Sequence, residues 1–277
     1  IFLLILPPYM DRNRKISIMG IVNLTDDSYF ADSRCTDVPA ALGRIARLVE
    51  EGADIIDIGA CSTRPGSLPV GAEEEWRRLE PVLKVFRENF QNVTLSIDTY
   101  WASVVQKAFA LVGPFIVNDI SAGEADPEML PTVGRLGLKY VAMHMRGMPE
   151  NMQSLTDYND VVEDVLEYFR NFSQKAEIHG INDWIIDPGF GFAKTLEQNY
   201  DLLNRLNEIK AGMHPRKVLV GVSRKSMIYR LLGTTPEESL PATQALHMAA
   251  LERGADILRV HDVAEAVRTV SLFKMMS

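Results

Sequence analysis

The stretch Ile185-Ile186-Asp187-Pro188-Gly189-Phe190-Gly191-Phe192-Ala193-Lys194 passes within four residues from an apolar run to a glycine-rich loop. Residues 184–186 read as a short strand covered on both faces, and Asp187 stands where that strand ends. Pro188 blocks further ladder pairing, and the two glycines permit backbone angles that a Cβ would resist. One strand mouth therefore receives a carboxylate, two phenylalanines and a lysine. Taken alone, the stretch reads equally well as a strand-to-helix turn with an aspartate as its local cap. Its repetition along the chain decides the fold.

Upstream, apolar runs at residues 16–22, 55–59, 94–97, 115–117 and 140–143 have strand character, and downstream so do 218–222 and 257–261. Helical spacing fills the intervals. Apolar residues at 41, 42, 45, 48 and 49 end at Gly52, and further helices are expected from about 73 to 90, from about 101 to 110 and after Pro127. Val161, Val165, Leu166, Phe169 and Phe172 mark another. The joint Glu51-Gly52-Ala53-Asp54-Ile55 recurs as Arg253-Gly254-Ala255-Asp256-Ile257. Eight βα units in about 270 residues predict an α/β protein of the (β/α)8 TIM-barrel class. It is expected as one domain over residues 1–277, with 1–15 as an N-terminal extension. An open doubly wound sheet competes, but no glycine-rich dinucleotide turn follows the first strand.

Composition narrows the function. Apolar residues form 47% of the 277 and charged residues 24%, which suits a folded globular chain, and a net charge of −8 argues against nucleic acid or an anionic membrane as partner. The opening apolar run stops at Pro7-Pro8, too short to span a bilayer. Cys35 and Cys61 lack metal-ligand spacing and read as free thiols in a reducing cytoplasm. There is no HExxH and no nucleophile elbow, which disfavours zinc hydrolysis and serine acyl transfer.

In a barrel of this class all strand C-termini open onto one face, where the site lies. Here they supply Asn23, Thr63, Arg64, Asp98, Asn118, His144, Asp187, Lys225, Ser226, Arg259 and His261. Each has a bland reading: a helix cap for Asp98 or Asp187, a turn residue for Asn118, a solvated lysine for Lys225. Eight strands of eight ending in polar groups make a purely structural ring hard to sustain. Asp98, Asn118 and Asp187 offer acceptors suited to a flat heterocycle that donates several N–H bonds. Arg64, Arg259 and His261 offer donors and positive charge for phosphate oxygens, and Asn23 can lend a carboxamide oxygen to magnesium. The expected ligand thus has an amino-heterocycle at one end and an anion at the other.

Asn23-Leu24-Thr25 with Asp27-Ser28, Ser62-Thr63-Arg64-Pro65-Gly66, Ser96-Ile97-Asp98-Thr99, Asn118-Asp119-Ile120-Ser121, the run from Asp187 to Lys194, Ser223-Arg224-Lys225-Ser226 and Arg259-Val260-His261 resemble, in identity and order, the dihydropteroate synthase family. The resemblance runs from residue 16 almost to the end. It implies a transferase of folate biosynthesis that joins 7,8-dihydropterin-6-ylmethyl diphosphate to 4-aminobenzoate, releasing pyrophosphate. By motif, Asp98, Asn118, Asp187 and Lys225 would hold the pterin, with Asp98 beside the methylene that becomes cationic. Asn23, Thr63, Arg64, Arg259 and His261, with Val260 between the last two, would engage the diphosphate and its Mg2+. Phe192, Thr63 and Ser226 would form the aminobenzoate pocket, where sulfonamides bind in this family. Asp98 and Lys225 are the expected catalytic pair.

The first loop departs from the family pattern, with Asp26 in place of a proline and Tyr29-Phe30-Ala31-Asp32-Ser33-Arg34 in place of its FSDGG segment, so Asp32 is not counted in the site. Two other readings remain: a methyltetrahydrofolate methyltransferase, and a non-catalytic pterin-binding protein descended from a synthase. Apolar residues of the last helix, Val263, Val267, Val270, Leu272 and Phe273, hint at a homodimer.

Overall fold

Eight short parallel strands pair in sequence order, and the last closes on the first. They are β1 (Ser17–Asn23), β2 (Ile55–Gly59), β3 (Thr94–Asp98), β4 (Ile116–Asp119), β5 (Lys139–Met143), β6 (Trp184–Asp187), β7 (Lys217–Val220) and β8 (Ile257–Val260). This computed structural model describes residues 14–24, 37–61, 70–147 and 152–276. Helices between the strands are α1 (Val38–Glu50), α2 (Ala72–Asn89), α3 (Ala102–Val112), α4 (Met129–Leu136) and α5 (Val161–Ile178). The later returns are split: α6 (Leu196–Asn204) with α7 (Leu206–Gly212), then α8 (Ser226–Leu232) with α9 (Leu240–Glu252), before α10 (Val263–Met275). The expected strands fall in place with ends moved by one or two residues. β7 stops at Val220 and β8 at Val260, so residues 221–225 and His261 belong to loops, and Ser226 opens α8.

Side chains alternate along a strand, so every second residue enters the barrel. Met19, Ile55, Ile116, Val141, Ile185, Leu219 and Ile257 meet there as a dry plug separate from the main core. Two residues further along four of these strands stand Asp57, Asn118, Asp187 and Arg259, and β3 adds Ser96 and Asp98. The period of two thus places a polar layer on an apolar floor. The outward residues, among them Ile56, Ile58, Leu95, Ile97, Val117 and Ile186, pack against the helices as the large core.

Local chemistry sets the helix starts. Asp37 caps α1 through Ala40 N at 2.8 Å, Asp160 caps α5, and Thr195 with Gln198 forms a capping box on α6. In α10 the apolar stripe proves to be core: Val263, Val270 and Phe273 are buried, and Val267 packs against them. Only Leu272 of that set is exposed, so the stripe itself supplies no dimer face. Among the described residues no helix is long and apolar enough to cross a membrane.

Candidate active site

The centre of the polar layer is Arg259. Its Nε and Nη2 both lie 2.7 Å from Asp57 Oδ2, and Nη2 also reaches Asp98 Oδ2 at 2.8 Å. Asp57 is wholly buried and receives two more hydrogen bonds, from Ser96 Oγ and from Asn118 Nδ2 at 3.1 Å. With the Asn118 amide N–H directed to Asp57, its carbonyl oxygen is assigned as the acceptor left for a ligand. Asp57 went unrecognised in the sequence, although a carboxylate between Ile56 and Ile58 in a buried strand signals an inward, paired charge.

Burial pushes the Asp98 carboxyl up to about 7, and Arg259 opposes that rise. Asp187 is likewise raised by burial, while Lys225 and a hydrogen bond from Gly189 N at 2.8 Å hold it back. Lys225 is brought down by burial to about 8, against the pull of Asp187. Its ammonium donates to the Phe190 carbonyl and lies 4.7 Å from the centre of the Phe192 ring. Two carboxyls raised and one lysine lowered by burial on one barrel mouth mark a functional site.

The run after Asp187 folds tightly. Gly189 has φ +73°, and a Cβ there would stand 2.0 Å from the His144 carbonyl, so only glycine lets this loop cross the end of β5. Lys194 turns inward, 4% exposed, with Nζ 3.0 Å from His144 Nδ1, 3.0 Å from Gly189 O and 3.1 Å from Phe192 O. His144 was counted with the mouth; it is instead a buried partner of Lys194, held neutral by burial and by that cation.

At the β7 and β8 exits the two basic residues play different parts. Arg224 takes φ +53° and grips Asp262 with Nε and Nη2, each at 2.8 Å, while Nη1 donates to Pro236 O and Glu237 O. It ties loops together, and the turn hands Lys225 and Ser226 to the mouth. Ser223 Oγ accepts the His261 backbone N–H at 3.2 Å and lies 3.0 Å from Nδ1. Burial, then Arg259 and the other nearby cations, pushes the imidazole down to about 3, so His261 offers a neutral N–H and not the positive charge expected. Val260 is buried beneath it.

Asn23 ends β1, half-buried beside Gly59 of β2. Thr63, Arg64 and the first-loop positions Asp26 and Asp32 lie outside the described residues. One further group was missed. Glu75, in the first turn of α2, is fully buried with neither carboxylate oxygen hydrogen-bonded, and burial lifts it to about 8; Thr99 nearby tempers the rise.

The model of the pterin binding enzyme family matches residues 19–261. The chain is 40% identical over 255 residues to the dihydropteroate synthase of Escherichia coli K12, covering 91% of this chain and 89% of that one. It is 39% identical over 275 residues to the folic acid synthesis protein fol1 of Pneumocystis carinii, covering 93% of this chain but only 37% of that longer protein. The dihydropteroate synthase of Yersinia pestis, solved with a sulfonamide drug complex, superposes with a TM-score of 0.89 at 37% identity, over 95% of this chain and 94% of that one. That of Xanthomonas albilineans with 4-aminobenzoic acid gives 0.85 at 38% identity, over 95% and 93%.

Proposed function

The chain belongs to the pterin-binding enzymes and, among them, to the dihydropteroate synthase family, and from that premise we propose how its barrel mouth works. Its function is that of a transferase of folate biosynthesis: 7,8-dihydropterin-6-ylmethyl diphosphate and 4-aminobenzoate give 7,8-dihydropteroate and pyrophosphate.

In our reading Asp187 and the Asn118 carbonyl accept the N–H groups of the pterin, and Lys225 donates to its ring acceptors. Asp98 faces the methylene. The C–O bond to diphosphate breaks first, and the positive charge left on the methylene meets a carboxylate already fixed by Arg259, so little reorganisation is needed. The remaining N–H groups of Arg259 and the neutral imidazole of His261 hold the leaving diphosphate, together with Thr63 and Arg64. The aniline nitrogen then forms the new C–N bond and releases a proton to water, which calls for no strong base. Phe192 and Ser226 line its approach.

Mg2+ is part of the same proposal. Among the described residues no three His, Cys, Asp or Glu side chains cluster around a possible metal. That donor set fits an ion held mainly by diphosphate oxygens and water, with Asn23 as protein ligand. When bound it would neutralise charge on the departing pyrophosphate. We further propose a homodimer in the cytoplasm. Leu231, Leu232, Leu272, Met275 and Met276 are exposed apolar side chains that a second copy can cover, and sedimentation would decide it.

The observation that carries the mechanism is the Asp57–Arg259–Asp98 arrangement in the polar layer of the barrel mouth. Pyrophosphate release from the pterin diphosphate, with and without 4-aminobenzoate and with Lys225→Ala, tests it. Release that needs the amine and collapses in the variant supports the reading, whereas binding without release would point to a non-catalytic pterin binder. Positional isotope exchange within the diphosphate tests the order of bond breaking; no scrambling when the amine is withheld would count against it.

A further inference from the structure

We infer that Lys194 is a positioning residue for the second substrate: it holds the loop over residues 189–192 in the conformation that presents Phe192, and acts through that loop without touching substrate. The inference rests on the placement of 4-aminobenzoate against Phe192.

The geometry is that of a clamp. The loop doubles back on its own lysine, and Nζ meets the carbonyls of Gly189 and Phe192 and the ring nitrogen of His144, three acceptors for the three protons of an ammonium. The other polar groups of the loop are fixed from outside. Gly189 N–H goes to Asp187, Gly191 N–H to Asn199 Oδ1 at 2.6 Å, and the Phe190 carbonyl to Lys225. Asn199 is itself held by the carbonyl oxygens of Lys194 and Thr195 through Nδ2, at 3.3 and 2.6 Å. The loop thus has one satisfied arrangement. It buries Phe190 completely and leaves Phe192 half-buried on the mouth, packed beside Tyr100, Ile120, Met143 and Met145.

Stability alone does not call for a lysine here. An apolar side chain of similar length would fill the same space without the desolvation of an ammonium, which burial has already brought down to about 7. What a lysine adds is direction, because two N–H groups fix the backbone carbonyls of Gly189 and Phe192 and the third anchors the ammonium on the His144 ring. The same loop also carries the acceptor for Lys225, but that is the Phe190 carbonyl, which Lys194 does not hold, so the clamp acts on the aromatic wall and not on the pterin-side lysine. A nucleophile held against a fixed wall reacts from a productive pose, and a loosened wall weakens its binding first.

Lys194→Met keeps the stem and removes the three hydrogen bonds. Steady-state kinetics should show the KM for 4-aminobenzoate rising by about tenfold or more, with the Kd of the pterin diphosphate, read by calorimetry, within about twofold of wild type. Asn199→Ala releases the Gly191 N–H from outside the loop and should give the same selective pattern at about threefold; it decides the matter if Lys194→Met does not fold. Combining Lys194→Met with Phe192→Ala should raise the KM little beyond Phe192→Ala alone, since the clamp acts through that ring. An unchanged KM for the amine, a parallel loss of both substrates, or full additivity with Phe192→Ala would overturn the inference. If Phe192→Ala alone leaves the KM for the amine at its wild-type value, the placement of that substrate is what fails.

Discussion

Replacing Arg259 with methionine removes the cation shared by two buried carboxylates. Asp57 is wholly inaccessible and keeps Ser96 Oγ and Asn118 Nδ2; Asp98, whose side chain is 13% exposed, loses its ion pair. Breaking a buried pair by deleting one partner costs about 3–5 kcal/mol. The site can limit that loss, because Asp98 already sits at about 7 and rises further once Arg259 no longer lowers it. A carboxyl raised in the folded state is comfortable at low pH, and the stability it contributes is lost as pH climbs through its folded value. The deficit should therefore be small near pH 6 and widen to about 3 kcal/mol near pH 8. For a chain of this size that is a fall of about 6 °C in Tm at the higher pH. Thermal melts of both proteins across that range read it directly. Adding Asp57→Asn should recover part of the loss, since the amide no longer needs a cation, while turnover stays low because Asp98 is neutral beside the reacting carbon. A deficit under about 1 kcal/mol that does not change with pH, or no recovery in the double variant, would refute the account of Arg259 as the cation that two buried carboxyl groups share.

Other consequences can be checked as directly. Because Asp98 must be ionised to stabilise a methylene cation and burial lifts it to about 7, kcat/KM for the pterin diphosphate in wild type should rise with pH through that value, and Asp98→Asn should lose both the limb and most of the rate. Glu75 is raised from the ordinary 4.5 to about 8, so its contribution is full below about 4.5 and gone above about 8, a span worth at most about 5 kcal/mol. Glu75→Gln should therefore flatten the alkaline decline in urea-measured stability, and equal pH slopes for both proteins would contradict the burial of a neutral acid. Gly189→Ala must force its Cβ off the His144 carbonyl at φ +73° and should cost about 2 kcal/mol or more. Gly43→Ala in α1, with open space around the new Cβ, should instead raise Tm slightly, and a like response of the two would mean that the loop simply shifts.

Much of this protein could be read from the chain because the relevant physics is local. Apolar runs ending in Asn, Asp, Lys or Arg, alternating with helical spacing, marked the strands and their exits, and the order of the strand-end motifs pointed to one family and one reaction. The period of two even held the layering of the mouth, since Asp187 and Arg259 each stand two residues beyond an isoleucine of the dry plug. What residue spacing could not carry is which of these groups meet. Arg259 and Asp57 are 202 residues apart and touch only because β8 pairs with β1, and β1 with β2, when the barrel closes. Lys194 and His144, 50 residues apart, are joined by the crossing of the Gly189 loop over β5. Protonation followed the same rule: His261 read as a cation, yet burial and neighbouring charges set it neutral, and burial lifts Glu75, a residue that the spacing did not single out. The stripe on α10 was legible as apolar, yet whether it met the core or a second chain depended on what lay opposite. Sequence periodicity specifies which side of an element is apolar or polar; desolvation and Coulomb energy depend on what the closed barrel brings against that side, and so only the tertiary structure decides them.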